Sequence, residues 1–188
     1  MRRSVALIPG PQALTRRQIM LAAAALSCSG VGIRAASGAE LPAEGIARSA
    51  ESIHQEPVIA ASRQRVYAVL TDARQFDRLT LLSDAGKSMT PKPPPARINA
   101  RPGGEFALFG GYISGRFIEM VANELIVQAW RVGNWNPGIY SIARFQLIEQ
   151  GASTRISFDH TGFPAGNAEH LAEGWHSNYW DPLQKLLS

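Results

Sequence analysis

The 188-residue sequence holds one cysteine, Cys28, and none follows it. The rest of the chain therefore has no disulfide and no thiol nucleophile, which suits an oxidising compartment. Acidic side chains are missing from residues 1–39, which carry five arginines: Arg2, Arg3, Arg16, Arg17 and Arg34. The whole chain has a formal charge of +4 from 19 basic and 15 acidic residues; without those five arginines, fourteen basic face fifteen acidic, a charge of −1. The positive charge belongs to the leader, so a nucleic-acid-binding surface loses its main support. Long apolar runs are absent too. Ile19 to Leu26 is the longest near the N-terminus, far short of the roughly 20 residues that span a bilayer.

What is present begins with a leader. Thr15-Arg16-Arg17-Gln18-Ile19-Met20 precedes the short apolar run, and small residues continue to Ala39. That order of charged, apolar and small-residue zones is that of a signal peptide, and the paired arginines are of twin-arginine type. Residues 1–39 are expected to be this signal, cleaved after Ala39, with the mature protein exported to the periplasm. Two alternatives are an uncleaved membrane-surface anchor and a lipid on Cys28, although Ala25 stands where a larger aliphatic residue is expected. Residues 40–51 read as a flexible linker, and residues 52–188 as one domain.

Ser52 to Ala60 alternates as a strand. Ser62 and Asp72 are N-caps for two short helices that turn Val66, Val69, Leu70, Phe76 and Leu79 inward. Ser83 to Arg101, with four prolines between Pro91 and Pro95, reads as loop. Five strands then follow with short connections: Glu105 to Phe109, Tyr112 to Val121, Glu124 to Arg131, Ile139 to Ile148 and Ser153 to Thr161. Gly110-Gly111 is expected as a two-residue turn between the first pair. Short connections make an antiparallel meander, since parallel strands need long crossovers. A helix from Asn167 to Leu187 carries Leu171, Trp175, Tyr179, Leu183 and Leu186 on one stripe, with a kink expected at Pro182. The expected class is α+β, a curved antiparallel meander wrapped around a long C-terminal helix, with two short N-terminal helices.

Several segments resemble one family. Arg101-Pro102-Gly103-Gly104-Glu105-Phe106, Gly110-Gly111, Gly115-x-x-x-Glu119, Ala129-Trp130-Arg131 and Trp135 are similar to the activator of heat-shock-protein ATPase homologues. His160-Thr161-Gly162-x-Pro164, Gly174-Trp175 and Tyr179-Trp180-x-Pro182-Leu183 extend the resemblance over about residues 52–187. It implies the helix-grip fold of the START, SRPBCC and birch-pollen-allergen-like superfamily. It also implies two kinds of partner, a small molecule in a cavity or another protein. An export signal is unusual for that family, whose best-known members act on a cytosolic chaperone.

No motif establishes an enzyme or a metal site, and no cofactor is expected. Gly110-Gly111 is flanked by strands, unlike a phosphate loop. Glu173-x-x-His176, with Glu169, faces away from the apolar stripe and reads as a solvated face. Asp159 and His160 are strand neighbours on opposite faces, so no triad forms with Ser157. An enzyme would have to draw on Glu105, Glu119, Arg131 or His160. Aromatic residues are more informative, because cavities are lined by aromatics with few polar groups. The candidate cavity residues are Phe106, Phe117, Trp130, Tyr140, Phe158, His160, Trp175 and Tyr179, around an apolar or amphipathic small molecule.

Overall fold

The computed structural model describes residues 50–188; the expected signal, its cleavage site and residues 40–49 of the expected linker lie outside the described residues. The first strand, β1 (Ala50–Gln55), starts two residues earlier than its alternation suggested. It does not run on to Ala60. Pro57 has no N–H to give a ladder, so pairing lapses there and resumes in β2 (Val58–Ile59). The carbonyl of Pro57 is still used, accepting from the Ile156 N–H at 2.9 Å.

Helix α1 (Arg63–Thr71) starts at Ser62, whose hydroxyl accepts from the Arg65 N–H at 3.4 Å. Asp72 caps α2 (Ala73–Leu82) by accepting from the Gln75 N–H at 3.0 Å. These caps satisfy backbone donors that the helix itself leaves free. A third, unexpected helix follows: α3 (Asp84–Ser88), where the sequence reads as loop. Its cap is Ser83, fully buried, whose hydroxyl accepts from the Gly86 N–H and donates to the Thr80 carbonyl.

The remaining strands are β3 (Arg97–Ile98), β4 (Glu105–Leu108), β5 (Ile113–Val121), β6 (Leu125–Val132), β7 (Ser141–Gln150) and β8 (Ser153–Pro164). All pairings are antiparallel, in the order β1-β8-β7-β6-β5-β4-β3, with β2 also on β8. Irregular register at Glu51/Ser52 and Phe117/Glu119 adds bends to the curved sheet. The β4–β5 connection differs from a two-residue turn. It is a 3₁₀ turn (Phe109–Gly111) in which Phe109 (φ 49°), Gly110 (φ 68°) and Gly111 (φ 93°) are all left-handed. A left-handed Phe is disfavoured by roughly 1–2 kcal/mol. Burial offsets this, because the Phe109 ring packs edge-on against Phe76 (5.5 Å) and Tyr179 (5.7 Å).

Across the concave face lies the C-terminal helix, in three segments: α4 (Ala168–Trp175), a π turn (His176–Trp180) and α5 (Asp181–Leu187). Glu51 at the start of β1 receives the N–H groups of Asn167 and Ala168 at 3.2 and 3.0 Å, and the backbone donor of Gly166 foremost, with those of Ala168 and Asn167, holds its carboxyl below the usual range. The expected kink at Pro182 takes a specific form. Pro182 cannot donate, and one residue earlier the Asp181 N–H reaches back five residues to His176. This wider turn adds a residue, and the inward stripe drifts by one position. Trp180 and Leu187 are buried, while Leu186 is only partly so. Side chains buried as fully as Leu79, Ile126, Phe158 and Leu183 contribute about 1.5–3 kcal/mol each.

Candidate functional site

Trp175 is the hub of the interior. It is 2% exposed and lies against Tyr179 (4.3 Å between ring centroids), Phe158 (4.4 Å) and Trp130 (5.5 Å). Its indole N–H donates to His160 Nδ1 at 3.0 Å. An indole only donates, so Nδ1 accepts and the imidazole hydrogen sits on Nε2. Nε2 then donates to Ser141 Oγ at 2.7 Å, and the Ser141 hydroxyl donates to the Trp130 carbonyl at 3.0 Å. His160 is thus satisfied by two side chains, on α4 and β7, rather than by backbone. Burial pushes its pKa down to about 3, which keeps it neutral.

A cavity of about 130 Å³ lies beside this hub, between sheet and helix. Trp130 and Val132 of β6, Ile113 of β5 and Trp135 of the β6–β7 loop form its sheet side. Leu171, Gly174, Trp175 and Tyr179 form its helix side, and Phe109, Tyr112 and Ala85 close it. Asn134, Asn167, His170 and Asn178 complete its lining, and no Lys, Arg, Asp or Glu is among the described lining residues. Gly174 occupies an interior helical position, where glycine costs up to about 1 kcal/mol relative to alanine. A Cβ added there would meet no described atom within 4 Å. The missing side chain therefore leaves open volume without relieving any contact.

Two residues of the lining each carry a polar atom that is shut away from both solvent and cavity. Trp130 Nε1 and Tyr179 Oη are both buried, and among the described residues neither has a hydrogen-bond partner. Burial pushes the Tyr179 phenol pKa up, opposed in part by the nearby Trp130 indole N–H. The two groups are neighbours that do not complete a bond of good geometry.

Of the eight sequence candidates, Trp130, Trp175 and Tyr179 line this cavity. Phe158 and His160 pack behind Trp175. Phe106 and Phe117 form an edge-on pair at 5.4 Å nearer the β4–β5 side, where Phe106 borders a separate polar groove with Arg97, Arg101 and Arg116. Tyr140 stands apart, 50% exposed in the loop before β7, with the Arg131 guanidinium 5.6 Å from its ring centroid. Phe109, Ile113, Val132, Leu171 and Gly174 are lining residues that the sequence reading missed. Alternation along β4 could not give Phe109, because its left-handed backbone turns the side chain out of strand order.

The groups considered for acid–base chemistry do not converge. Glu105 and Glu119 are exposed, Glu105 being paired with Arg116. Arg131 donates to the Trp135 carbonyl at 2.7 Å. Asp159 faces away from His160 and bonds His54 Nδ1 at 2.7 Å. Glu169, Glu173 and His176 are exposed on the helix's outer side.

A curved antiparallel sheet gripping a C-terminal helix, with a cavity between them, defines a helix-grip protein. The chain belongs to the Activator of Hsp90 ATPase homolog 1-like protein family, whose sequence model matches residues 60–188. Among its relatives, mouse Activator of 90 kDa heat shock protein ATPase homolog 2 is 30% identical over 93 residues, and human homolog 1 is 29% identical over 93. Each match covers 50% of this chain but only 28% of the relative, so the chain spans under a third of those proteins. Among solved structures, an Hsp90 activator from Plasmodium falciparum superposes with a TM-score of 0.63 at 24% identity, covering 72% of this chain and 95% of that one. CalU16 from Micromonospora echinospora gives 0.58 at 21% identity, covering 74% and 77%. At these identities the structures establish the shared fold.

Proposed function

We propose that the protein is an exported helix-grip carrier or sensor that holds one small apolar or amphipathic molecule between sheet and helix. The observation that carries this reading is Gly174, a glycine within α4 whose absent side chain keeps open an aromatic-walled cavity. A cavity of comparable size, about 150 Å³, accepts benzene in a protein interior. The occupant is accordingly a single ring or short chain, and not a lipid or an extended polyketide. Export rests on the arginine-rich leader, residues 1–39.

One experiment addresses both parts. The protein is isolated from the periplasmic fraction of its native host and examined by native mass spectrometry. The expected result is a chain beginning at Glu40 with a non-covalent increment on the order of 100 Da. Gly174→Leu, which fills the open space, is expected to keep the fold and lose the increment. An apo mass in wild type, together with no thermal shift from small apolar compounds, overturns the binding reading. A chain found in the cytosol with its leader intact overturns export.

A second reading, docking of a protein, has its own supporting observation. Leu81 is 59% exposed and borders a groove of about 230 Å³ with Pro93, Pro94 and Pro95. Apolar exposure of that kind marks interaction surfaces, and the relatives' names include Hsp90 ATPase activators. This reading expects purified protein to stimulate an Hsp90 ATPase and Leu81→Lys to abolish the effect. Unchanged ATPase rates with wild type remove it.

A further inference from the structure

A second concavity, apart from the aromatic cavity, collects positive charge. It is the polar groove over β3, β4 and β5, of about 520 Å³, bordered by the guanidiniums of Arg97, Arg101 and Arg116 and by one carboxylate, Glu105. Beyond residue 39 the chain carries a charge of −1, so three guanidiniums against one acid run counter to the rest of the protein. Register explains how they gather. Glu105 is opposite Arg116, and Ala107 is opposite Arg97; residues two apart on β4 share a face. Phe106, between them, is buried. Arg97, Glu105 and Arg116 therefore stand on the outer face, where the small Ala107 side chain leaves the concavity between them. Arg101 comes from the β3–β4 loop, which short backbone bonds fix. Its N–H donates to the Asn99 carbonyl at 2.8 Å, its carbonyl accepts from Gly104 at 2.8 Å, and the Gly103 N–H donates to Phe117 at 2.7 Å. A Cβ at Gly104 would stand 2.0 Å from the Asn99 carbonyl oxygen, so the loop closes this tightly only on glycine.

We infer that this groove binds a small organic dianion, held by Arg97 and Arg101. Arg116 is already committed, pairing with Glu105 and donating to the Gly103 carbonyl at 3.3 Å. It neutralises the one acid and braces the loop. Arg63, Arg144 and Arg155 likewise find carboxylates on their own surfaces. Arg97 and Arg101 are exposed, and among the described residues their side chains have no hydrogen-bond or ion-pair partner. A guanidinium stays charged and offers a planar fork of donors, so its complement is an oxyanion. Two such forks and a local excess of +2 match a ligand with two negative charges. Two carboxylates or one phosphate ester meet that description; a monoanion leaves one guanidinium unmatched. The inference is independent of the aromatic cavity and its occupant.

The test titrates three probes into the purified protein at low salt: succinate, its monoanionic half-amide succinamate, and glycerol 3-phosphate. Binding is followed by NMR on the arginine Nε–H signals. At least one dianion is expected to move the Arg97 and Arg101 signals saturably, and the tighter of the two identifies the oxyanion. Succinamate should bind more weakly than the dianions, by about 3-fold or more. Arg97→Gln and Arg101→Gln should each weaken the dianion by about 3-fold, within the range of an exposed ion pair. Arg74→Gln removes an exposed charge on α2 outside the groove and should leave the affinity unchanged. Amide spectra matching wild type show that the variants keep the fold, and the comparison of probes on wild type stands without any variant. Shifts that never saturate with either dianion overturn the inference, as does succinamate binding as tightly as both dianions. Equal weakening by Arg74→Gln overturns it too, since the response would then follow overall charge and not this groove.

Discussion

Lowering the pH from 7.5 to 4.5 is expected to destabilise the folded protein by about 2–3 kcal/mol through one side chain, His160. Its pKa is pushed down to about 3 by burial, while an unfolded histidine titrates near 6.5. The sign follows from proton uptake. Above pH 6.5 neither state binds a proton at this site, and stability is unaffected. Between about 6.5 and 3 the unfolded chain is protonated and the folded one is not, so stability falls as pH falls. Below about 3 both states are charged and the loss levels off. The bonding explains why the folded state resists the proton. Nδ1 is occupied by the Trp175 N–H at 3.0 Å, and a protonated ring there would set two donors against each other. Denaturant melts across this range provide the check, with His160→Gln as the non-titrating comparison. The amide can still accept from Trp175 and donate to Ser141, so it should lose some stability at neutral pH but show a flatter acid limb. Identical acid limbs would place the lability elsewhere.

Gly115→Ala is expected to cost roughly 3 kcal/mol or more, at the upper end of what overpacking a core does. A Cβ at Gly115 would stand 1.9 Å from the Ala129 carbonyl oxygen and 2.5 Å from the Phe106 ring. Gly115 is opposite Phe106 on β4 and Trp130 on β6. One contact is backbone, so no rotamer change can relieve it. Either β5 and β6 part or the Phe106–Phe117 pair is displaced. Gly174→Ala is the matched comparison, because its methyl enters open space within a helix. It should stabilise by roughly 0.5–1 kcal/mol. Chemical denaturation of the two variants reads both effects, and a Gly115→Ala protein as stable as wild type would sink the steric account.

The contrast between those glycines shows what the sequence could disclose. Cap residues were legible because Ser62 and Asp72 act on amides three residues away, so spacing alone reveals them. The meander was legible from alternation, as in β6, where Ile126, Gln128 and Trp130 face inward. Trp175 and Tyr179 were legible from helical spacing. Positions whose meaning depends on distant atoms were not. Nothing local distinguishes Gly115, crowded by two strands, from Gly174, facing empty volume. Tyr140 reads as an inward strand residue, yet β7 begins only at Ser141 and leaves it outside. Leu186 and Leu187 exchange roles through a turn that ends six residues before Leu186. Which aromatics border the cavity is hidden for a related reason: a cavity is defined by atoms that are absent.

The π turn at His176–Trp180 also bears on how the gene can change. In an ordinary helix, gaining or losing one codon swings everything downstream by about 100° and turns an inward stripe outward. A π turn absorbs one surplus residue within itself while both flanks keep their facing. Leu171 and Trp175 before it, and Leu183 and Leu187 after it, are all buried. A single-residue change of length in this helix is therefore best absorbed in the stretch beside the cavity wall, where Asn178 and Tyr179 sit. Reading-frame-preserving insertions and deletions here would reshape the pocket and leave the grip of the helix on the sheet in place.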